Sequence, residues 1–203
     1  MQGSASSSLS AYDLACRRGD RLLFRSLSFE LAGGEALHIT GKNGTGKTTL
    51  IRALAGLTTP FVGGVRCEGA IGLLDERPAL DPDLPLGKAL AFWERVDGCS
   101  DPNGALSVLG LEPLLDVPVR YLSTGQRKRA ALAALLNRGV PIWLLDEPLS
   151  GLDATAIDQV AALIQLHLSG GGIALVASHQ PLAVAGMKTL AIEDFAPSEE
   201  PLT

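Results

Sequence analysis

The chain carries Gly41-Lys42-Asn43-Gly44-Thr45-Gly46-Lys47-Thr48, which fits the pattern G-x-x-x-x-G-K-[ST] of loops that bind nucleotide phosphates. Glycines at this spacing let backbone N–H groups converge on an anion, because side chains there would block the approach. Lys47 can then reach the β- and γ-phosphates, and the Thr48 hydroxyl can bind Mg²⁺. The alternative is an ordinary glycine-rich turn without a ligand.

The residues on either side of this loop favour phosphate binding. Residues 35–40 read as a short buried strand, and residues 48–57 place leucine and isoleucine at helical spacing. Gly56 and Pro60 mark the end of that helix. The motif needs a strand, a glycine loop and a helix in this order, and the helix N-terminus adds its positive dipole end to the site.

Composition and charge limit the possible functions. The 203 residues suffice for one domain, and 46% hydrophobic with 19% charged residues is a globular composition. The net charge of -5 argues against a nucleic-acid partner. No apolar run is long enough to cross a bilayer, and residues 1–8 lack a secretory signal, so we expect a disordered start and a cytoplasmic protein. Cys16, Cys67 and Cys99 lack metal-site spacing and read as reduced packing residues.

Hydrophobic periodicity outlines the remaining elements. Strands are predicted at residues 9–14, 22–31, 65–74, 141–146 and 173–178, and helices at 86–95, 104–109, 123–138 and 154–168. Strands that alternate with helices predict an α/β fold with a parallel sheet covered on both faces. Residues from about 77 to 138 are expected to form an inserted helical subdomain, and residues 196–203 a loose polar tail.

A second motif is an apolar strand that ends in two acids, Ile142-Trp143-Leu144-Leu145-Asp146-Glu147-Pro148. Ligands of parallel sheets gather at the carboxyl ends of the strands. There, Asp146 can hold Mg²⁺ and Glu147 can accept a proton from an attacking water. The alternative is an exposed acidic turn.

A third motif, Leu122-Ser123-Thr124-Gly125-Gln126, precedes the strongest predicted helix. Ser123 is a good N-cap, Gly125 permits close backbone approach, and a free helix N-terminus attracts anions. Plain capping of an amphipathic helix explains the same residues equally well. The basic residues 127–129 read as a solvated helix face.

Together these motifs resemble those of the nucleotide-binding subunits of ABC transporters. Residues 41–48 resemble the Walker A loop, residues 122–126 the LSGGQ signature with Thr124 in place of the usual glycine, and residues 145–147 the end of Walker B. Ser150-Gly151-Leu152-Asp153 resembles the D-loop, and His179 falls at the position of the switch histidine. The resemblance covers nearly the whole chain. Outside this context, a lone histidine such as His179 is usually structural, and His38 and His167 are expected to be so.

The resemblance implies an ABC-type P-loop ATPase with a mostly parallel core sheet, an N-terminal antiparallel β subdomain and an inserted helical subdomain. It implies ATP and Mg²⁺ as cofactors and a head-to-tail dimer that holds ATP between the Walker A loop of one copy and the signature of the other. Lys47, Glu147 and His179 would be catalytic, and the metal would be bound by Thr48, Asp146 and Glu76. The residues that would contact nucleotide are Arg18, Gly41, Asn43, Gly44, Thr45, Gly46, Lys47, Thr48 and Thr49 of one copy, with Ser123, Gly125, Gln126 and Asp153 of the other.

Two positions depart from the family pattern. Glu76 stands where the Q-loop glutamine is expected, and it would add negative charge near the triphosphate. Arg18 stands where an aromatic residue often stacks on adenine. A guanidinium plane can also stack on a base, and the alternative is an ordinary surface arginine.

Within the family, the chain is most similar to the ATP-binding subunit of the haem exporter of bacterial cytochrome c maturation. The matching residues are 16–19, 143–149 and 177–182, together with the short overall length. This resemblance implies integral membrane permease subunits as partners, a periplasmic haem chaperone as an indirect partner, and a place on the cytoplasmic face of the inner membrane. Two alternatives stay open: the ATPase of another small-solute transporter, and an ATP-dependent clamp protein without a transport role.

Overall fold

The computed structural model describes residues 7–75, 79–98 and 104–197. Its strands are β1 (Ser8–Arg18), β2 (Arg21–Ala32), β3 (Ala36–Thr40), β4 (Val62–Glu68), β5 (Ile71–Leu74), β6 (Ile142–Asp146), β7 (Ile173–Ala177) and β8 (Lys188–Ala191). Its α-helices are α1 (Lys47–Leu54), α2 (Leu86–Asp97), α3 (Ala105–Val108), α4 (Thr124–Asn137) and α5 (Ala154–Ser169). Short 3₁₀ turns lie at Glu112–Leu114, Val119–Tyr121 and Ile192–Phe195.

The strands form two sheets. A three-stranded antiparallel sheet has the order β2-β1-β4, and a five-stranded parallel sheet has the order β5-β6-β7-β3-β8. β3 and β6 are inner strands of the parallel sheet, so the segments that follow them emerge at the same carboxyl edge. Those segments are the phosphate loop and the acidic pair.

The two faces of the parallel sheet support two separate cores. Along β6, Ile142 and Leu144 pack with the antiparallel sheet and α1, whereas Trp143 and Leu145 pack with the helices on the opposite face. All five residues of β6 are buried, which is the pattern of a strand covered on both sides. The acidic end of this strand is therefore held rigidly from both faces.

The predicted fold class is confirmed, with three corrections to its elements. The single strand predicted at residues 65–74 is two strands, because Gly69 adopts φ 120° and the chain passes from the antiparallel sheet into the parallel one. The strand β8 was not predicted. β1 already begins at Ser8, where we expected disorder, while residues 1–6 lie outside the described residues.

Between β5 and β6 the described residues form α2, α3, two 3₁₀ turns and α4, in the region where an inserted helical subdomain is predicted. In the predicted tail, only residues 196 and 197 are described. None of the helices in the described ranges combines the length and apolar character needed to span a membrane.

Candidate nucleotide-binding site

The phosphate loop joins β3 to the N-terminus of α1. Gly46 caps this helix in a left-handed conformation with φ 115°, and its carbonyl accepts a hydrogen bond from the Leu50 N–H at 2.8 Å. A Cβ at this position would lie 3.1 Å from the Phe24 ring and 3.2 Å from the Leu23 Cβ. Gly46 is therefore required both for its backbone angle and for its close packing on β2.

Lys47 is the first residue of α1, and its ammonium group is almost fully enclosed, with the residue 5% exposed. It donates to the Gly41 carbonyl at 2.7 Å and to the Lys42 carbonyl at 3.2 Å, so the loop curls around the ammonium group. It also forms an ion pair with Glu147 Oε1 at 3.3 Å. The positive charge is thus fixed inside the loop, where it can meet an incoming phosphate.

Glu147 contacts both this loop and His179, which follows β7. Its Oε1 faces Lys47, and its Oε2 lies 2.9 Å from Nδ1 of His179. The backbone of Glu147 adopts φ 47°, which is uncommon for a residue with a side chain. Its N–H donates to the Ala177 carbonyl at 2.8 Å, and this bond to β7 helps to hold the unusual conformation. In this backbone conformation the carboxylate contacts both Lys47 and His179.

A cavity of about 350 Å³ opens above the loop. Its lining residues are Arg18, Leu23, Asn43, Gly44, Gly46, Lys47, Thr48, Thr49 and Glu147. Arg18, the residue predicted to stack on adenine, is thus part of the cavity wall. Leu23, on β2, was not predicted as a site residue, since one leucine in an alternating strand carries no functional signal.

Two of the predicted loop residues do not line this cavity. The Thr45 hydroxyl donates to the Lys42 carbonyl at 2.8 Å and closes the turn of the loop. Gly41 lies against Ile192 and Glu193 of the C-terminal 3₁₀ turn. Thr45 and Gly41 therefore contribute to the conformation of the loop and not to the wall of the cavity.

Two of the three predicted metal ligands, Thr48 and Asp146, lie at the same edge of the sheet. Thr48 is exposed on the first turn of α1, and Asp146 is the buried last residue of β6, directly before Glu147. Lys128 of α4 donates to the Asp146 backbone carbonyl at 3.3 Å. A hydroxyl and a carboxylate are the oxygen ligands that Mg²⁺ prefers, so these donors fit the ion. Glu76 lies outside the described residues.

The signature residues do not line the cavity, and the side chains of two of them cap α4. Ser123 Oγ accepts from the Gln126 N–H at 3.2 Å, and Gln126 Oε1 accepts from the Ser123 N–H at 2.8 Å. This is a reciprocal capping box, and it agrees with the plain capping of the helix that the sequence analysis gave as the alternative. Asp153 likewise caps α5 by accepting from the Ala156 N–H at 2.8 Å.

The signature and the D-loop pack directly against each other. A Cβ on Gly125 would lie 2.4 Å from the Gly151 carbonyl, and a Cβ on Gly151 would lie 3.3 Å from the Thr124 methyl. Thr124, the departure from the usual glycine, therefore covers Gly151. The two segments form one continuous surface.

His38 is buried on β3, as expected of a structural histidine, and its Nε2 lies 3.2 Å from the Ser178 carbonyl. Burial lowers the pKa of His38, although the Ser178 hydrogen bond and the charge of Glu147 oppose this. A neutral imidazole can donate to that carbonyl, which immediately precedes His179. His167 is half-buried: it stacks on Trp143 with ring centroids 3.8 Å apart, and burial lowers its pKa.

Comparison with known proteins identifies the family. The profile described as ABC transporter matches residues 24–150, which is more than half of the chain. The chain belongs to the ABC transporter family. The prediction of an ABC-type ATP-binding subunit is thereby confirmed.

Members of the ABC transporter family match nearly the whole chain. It is 56% identical over 189 residues to the "Cytochrome c biogenesis ATP-binding export protein CcmA" of Novosphingobium aromaticivorans, covering 93% of this chain and 97% of the relative. It is 50% identical over 188 residues to the protein of the same name from Zymomonas mobilis, covering 92% and 85%. A solved ATP-binding subunit of an ABC transporter superposes with a TM-score of 0.76 at 23% identity, covering 84% of this chain and 79% of that one. This last likeness shows the fold alone.

Proposed function

We propose that this chain hydrolyses ATP to drive a haem-export complex of cytochrome c biogenesis, bound to integral membrane subunits at the cytoplasmic face of the bacterial inner membrane. The observation that carries the hydrolytic part is the meeting of Lys47, Glu147 and His179 at one edge of the sheet. The similarity to export proteins of cytochrome c biogenesis over almost their full length supports this branch over another small-solute transporter. A haem chaperone in the periplasm would be served indirectly, through the membrane subunits.

The geometry supports attack of water on the γ-phosphate. Lys47 already carries its charge inside the loop, and it can exchange the Glu147 carboxylate for phosphate oxygens. Glu147 is then free to accept the proton of the attacking water. His179, which lies 2.9 Å from Glu147, would contact the γ-phosphate on the same side.

Thr48 and Asp146 would hold Mg²⁺, with Glu76 as a further oxygen donor beside the triphosphate. The ion supplies charge neutralisation on the β- and γ-phosphates when it is bound. The rigid packing of Asp146 at the end of β6 fixes one of these donors in advance.

A second copy of the chain would complete the site. In a head-to-tail dimer, Ser123, Gly125 and Gln126 of one copy would face the nucleotide on the loop of the other, and Asp153 would link the two sites. The N-terminus of α4 suits this role, because it directs backbone N–H groups and the positive dipole end toward an anion. The packing of Gly125 on Gly151 would let the signature and the D-loop approach the partner together.

The membrane subunit would dock beside the segment between β5 and α2. An open groove of about 270 Å³ lies there, with largely apolar walls. Its residues include Leu74, Leu80, Trp93, Ala134 and Leu135. Because these walls come from both β5 and the helical region, a helix seated in the groove would sense movement of one against the other.

Detergent extraction of a tagged copy from native membranes, followed by identification of retained proteins and a phosphate-release assay, tests this proposal. We expect integral membrane subunits to be retained and ATP to be hydrolysed. A Lys47→Ala copy should retain the same subunits without hydrolysis, because the loop lies outside the groove. A tagged protein that retains no membrane protein and releases no phosphate would contradict the proposal. Retention of the subunits of a solute importer would favour the other transporter class.

A further inference from the structure

We propose that Glu193 is a positioning residue for Lys47, acting through the peptide group between Gly41 and Lys42. The inference rests on the proposed binding of triphosphate at Lys47. Glu193 lies in the 3₁₀ turn Ile192–Phe195, and its Oε1 accepts a hydrogen bond from the Lys42 backbone N–H at 2.6 Å. No sequence motif marks this residue, which lies 151 positions from Lys42.

A single planar unit connects the two charged side chains. The Lys42 N–H and the Gly41 carbonyl belong to the same trans peptide, so they point in opposite directions. Glu193 holds the N–H on one side, and Lys47 Nζ donates to the carbonyl on the other side at 2.7 Å. A carboxylate on the N–H also polarises the peptide, which strengthens the carbonyl as an acceptor. Glu193 therefore fixes both the orientation and the strength of a contact that holds the ammonium group.

The fold brings Glu193 to this place. β8 pairs in parallel with β3, and its last residue, Ala191, lies opposite Thr40, so the next residues of both strands run side by side. Gly41 has φ 150°, and a Cβ there would lie 2.7 Å from Ile192 Cγ2 and 2.8 Å from Glu193 Oε2. The first glycine of the loop thus makes room for the carboxylate that orients the following peptide.

The experiment compares Glu193→Ala, Glu193→Gln and Asp194→Ala by titration with a non-hydrolysable ATP analogue and by steady-state hydrolysis. Loss of one charge-assisted hydrogen bond should raise the KM for ATP and weaken analogue binding about five- to tenfold in Glu193→Ala, with kcat within about twofold. The Gln side chain keeps an acceptor oxygen and should recover most of the affinity. Asp194→Ala removes the same charge from the same exposed turn and should bind like the unsubstituted protein.

A second pair of variants tests whether Glu193 acts through Lys47. In a Lys47→Ala background, the further change Glu193→Ala should leave the affinity for the same ATP analogue unchanged, because the group that it positions is gone. Equal weakening in both backgrounds, or tight analogue binding by Glu193→Ala, would overturn the inference. Failure of the unsubstituted protein to bind any nucleotide would instead count against the proposed function.

Discussion

The phosphate-loop half and the signature half of the proposed site differ in how their polar groups are used. In the phosphate-loop half, Glu147 contacts both Lys47 and His179, and Lys47 and Glu147 line a cavity that can admit a ligand. In the signature half, the side chains of Ser123, Gln126 and Asp153 are engaged in helix caps. In the proposed dimer, the first half would supply its chemistry from one chain, whereas the second would act only on the nucleotide bound by the other copy. Variants in each half should therefore fail in different ways.

The largest expected effect on hydrolysis is that of Glu147→Gln in the phosphate-loop half. The amide keeps the size of the side chain but cannot accept the proton, so kcat should fall by about 10² to 10⁴. Analogue binding should remain, and phosphate release with calorimetric titration measures the two quantities separately. Normal steady-state hydrolysis would remove Glu147 from its proposed role.

Lys47→Ala should act on binding. Removing a charge-assisted contact to phosphate should weaken ATP binding about 10- to 100-fold. Lys42→Ala is the matched control, because the side chain of Lys42 is exposed and its backbone groups make the loop contacts described above. Unchanged ATP affinity in Lys47→Ala would contradict the assignment of this loop to the phosphates.

Arg18→Ala tests the end of the cavity where the adenine base is proposed to bind. Loss of guanidinium stacking should weaken ATP binding about fivefold, while inhibition by inorganic tripolyphosphate should not change. Arg17→Ala is the control, since the guanidinium carbon of Arg17 lies 4.8 Å from the Phe61 ring centroid instead. Equal effects of the two variants would indicate that Arg18 contributes only surface charge.

The smallest expected effect concerns His38, which contacts the Ser178 carbonyl just before His179. Because burial lowers its pKa in the folded state, the unfolded chain binds more protons once the pH falls below about 6.5. The contribution of neutral His38 to the free energy of unfolding is therefore fully present above that pH. It is lost as the pH falls toward the lowered pKa. The slope contributed by His38 is at most about 1.4 kcal/mol per pH unit.

His38→Gln should flatten the decrease of unfolding free energy between pH 7 and pH 5, because the amide can still donate to the Ser178 carbonyl but does not titrate. Denaturant unfolding across this range measures the slope. His167 contributes equally to both proteins and cancels in the comparison. An identical slope in the variant would show that His38 takes no part.

The phosphate-loop half was more predictable from sequence than the contacts around it. The glycine loop and the acidic strand end are local patterns, and both fall at the carboxyl edge of the parallel sheet as expected. The N-cap role of Ser123 was likewise visible in the sequence, and the structure adds the reciprocal contact of Gln126. The sequence alone could not decide between capping and nucleotide contact, because a serine at a helix N-terminus suits either role.

The missed features depend on contacts between distant parts of the chain. β8 has four residues, none fully buried, so it shows little periodicity, and its place beside β3 determines where Glu193 lies. Leu23 reaches the cavity only because β2 packs over Gly46. The unusual φ of Glu147 is supported by a hydrogen bond to β7, and the sequence around residue 147 does not predict that contact.

The most direct test of a site shared between two copies is the molar mass of Glu147→Gln measured by light scattering with and without MgATP. We predict the mass of one chain without nucleotide and of two chains with it. Adding Ser123→Asp to the same protein should keep α4 capped, because aspartate caps as well as serine, yet it should prevent the doubling by placing a negative charge against the phosphates. A protein saturated with ATP that keeps the mass of one chain, or doubling that survives Ser123→Asp, would contradict the account.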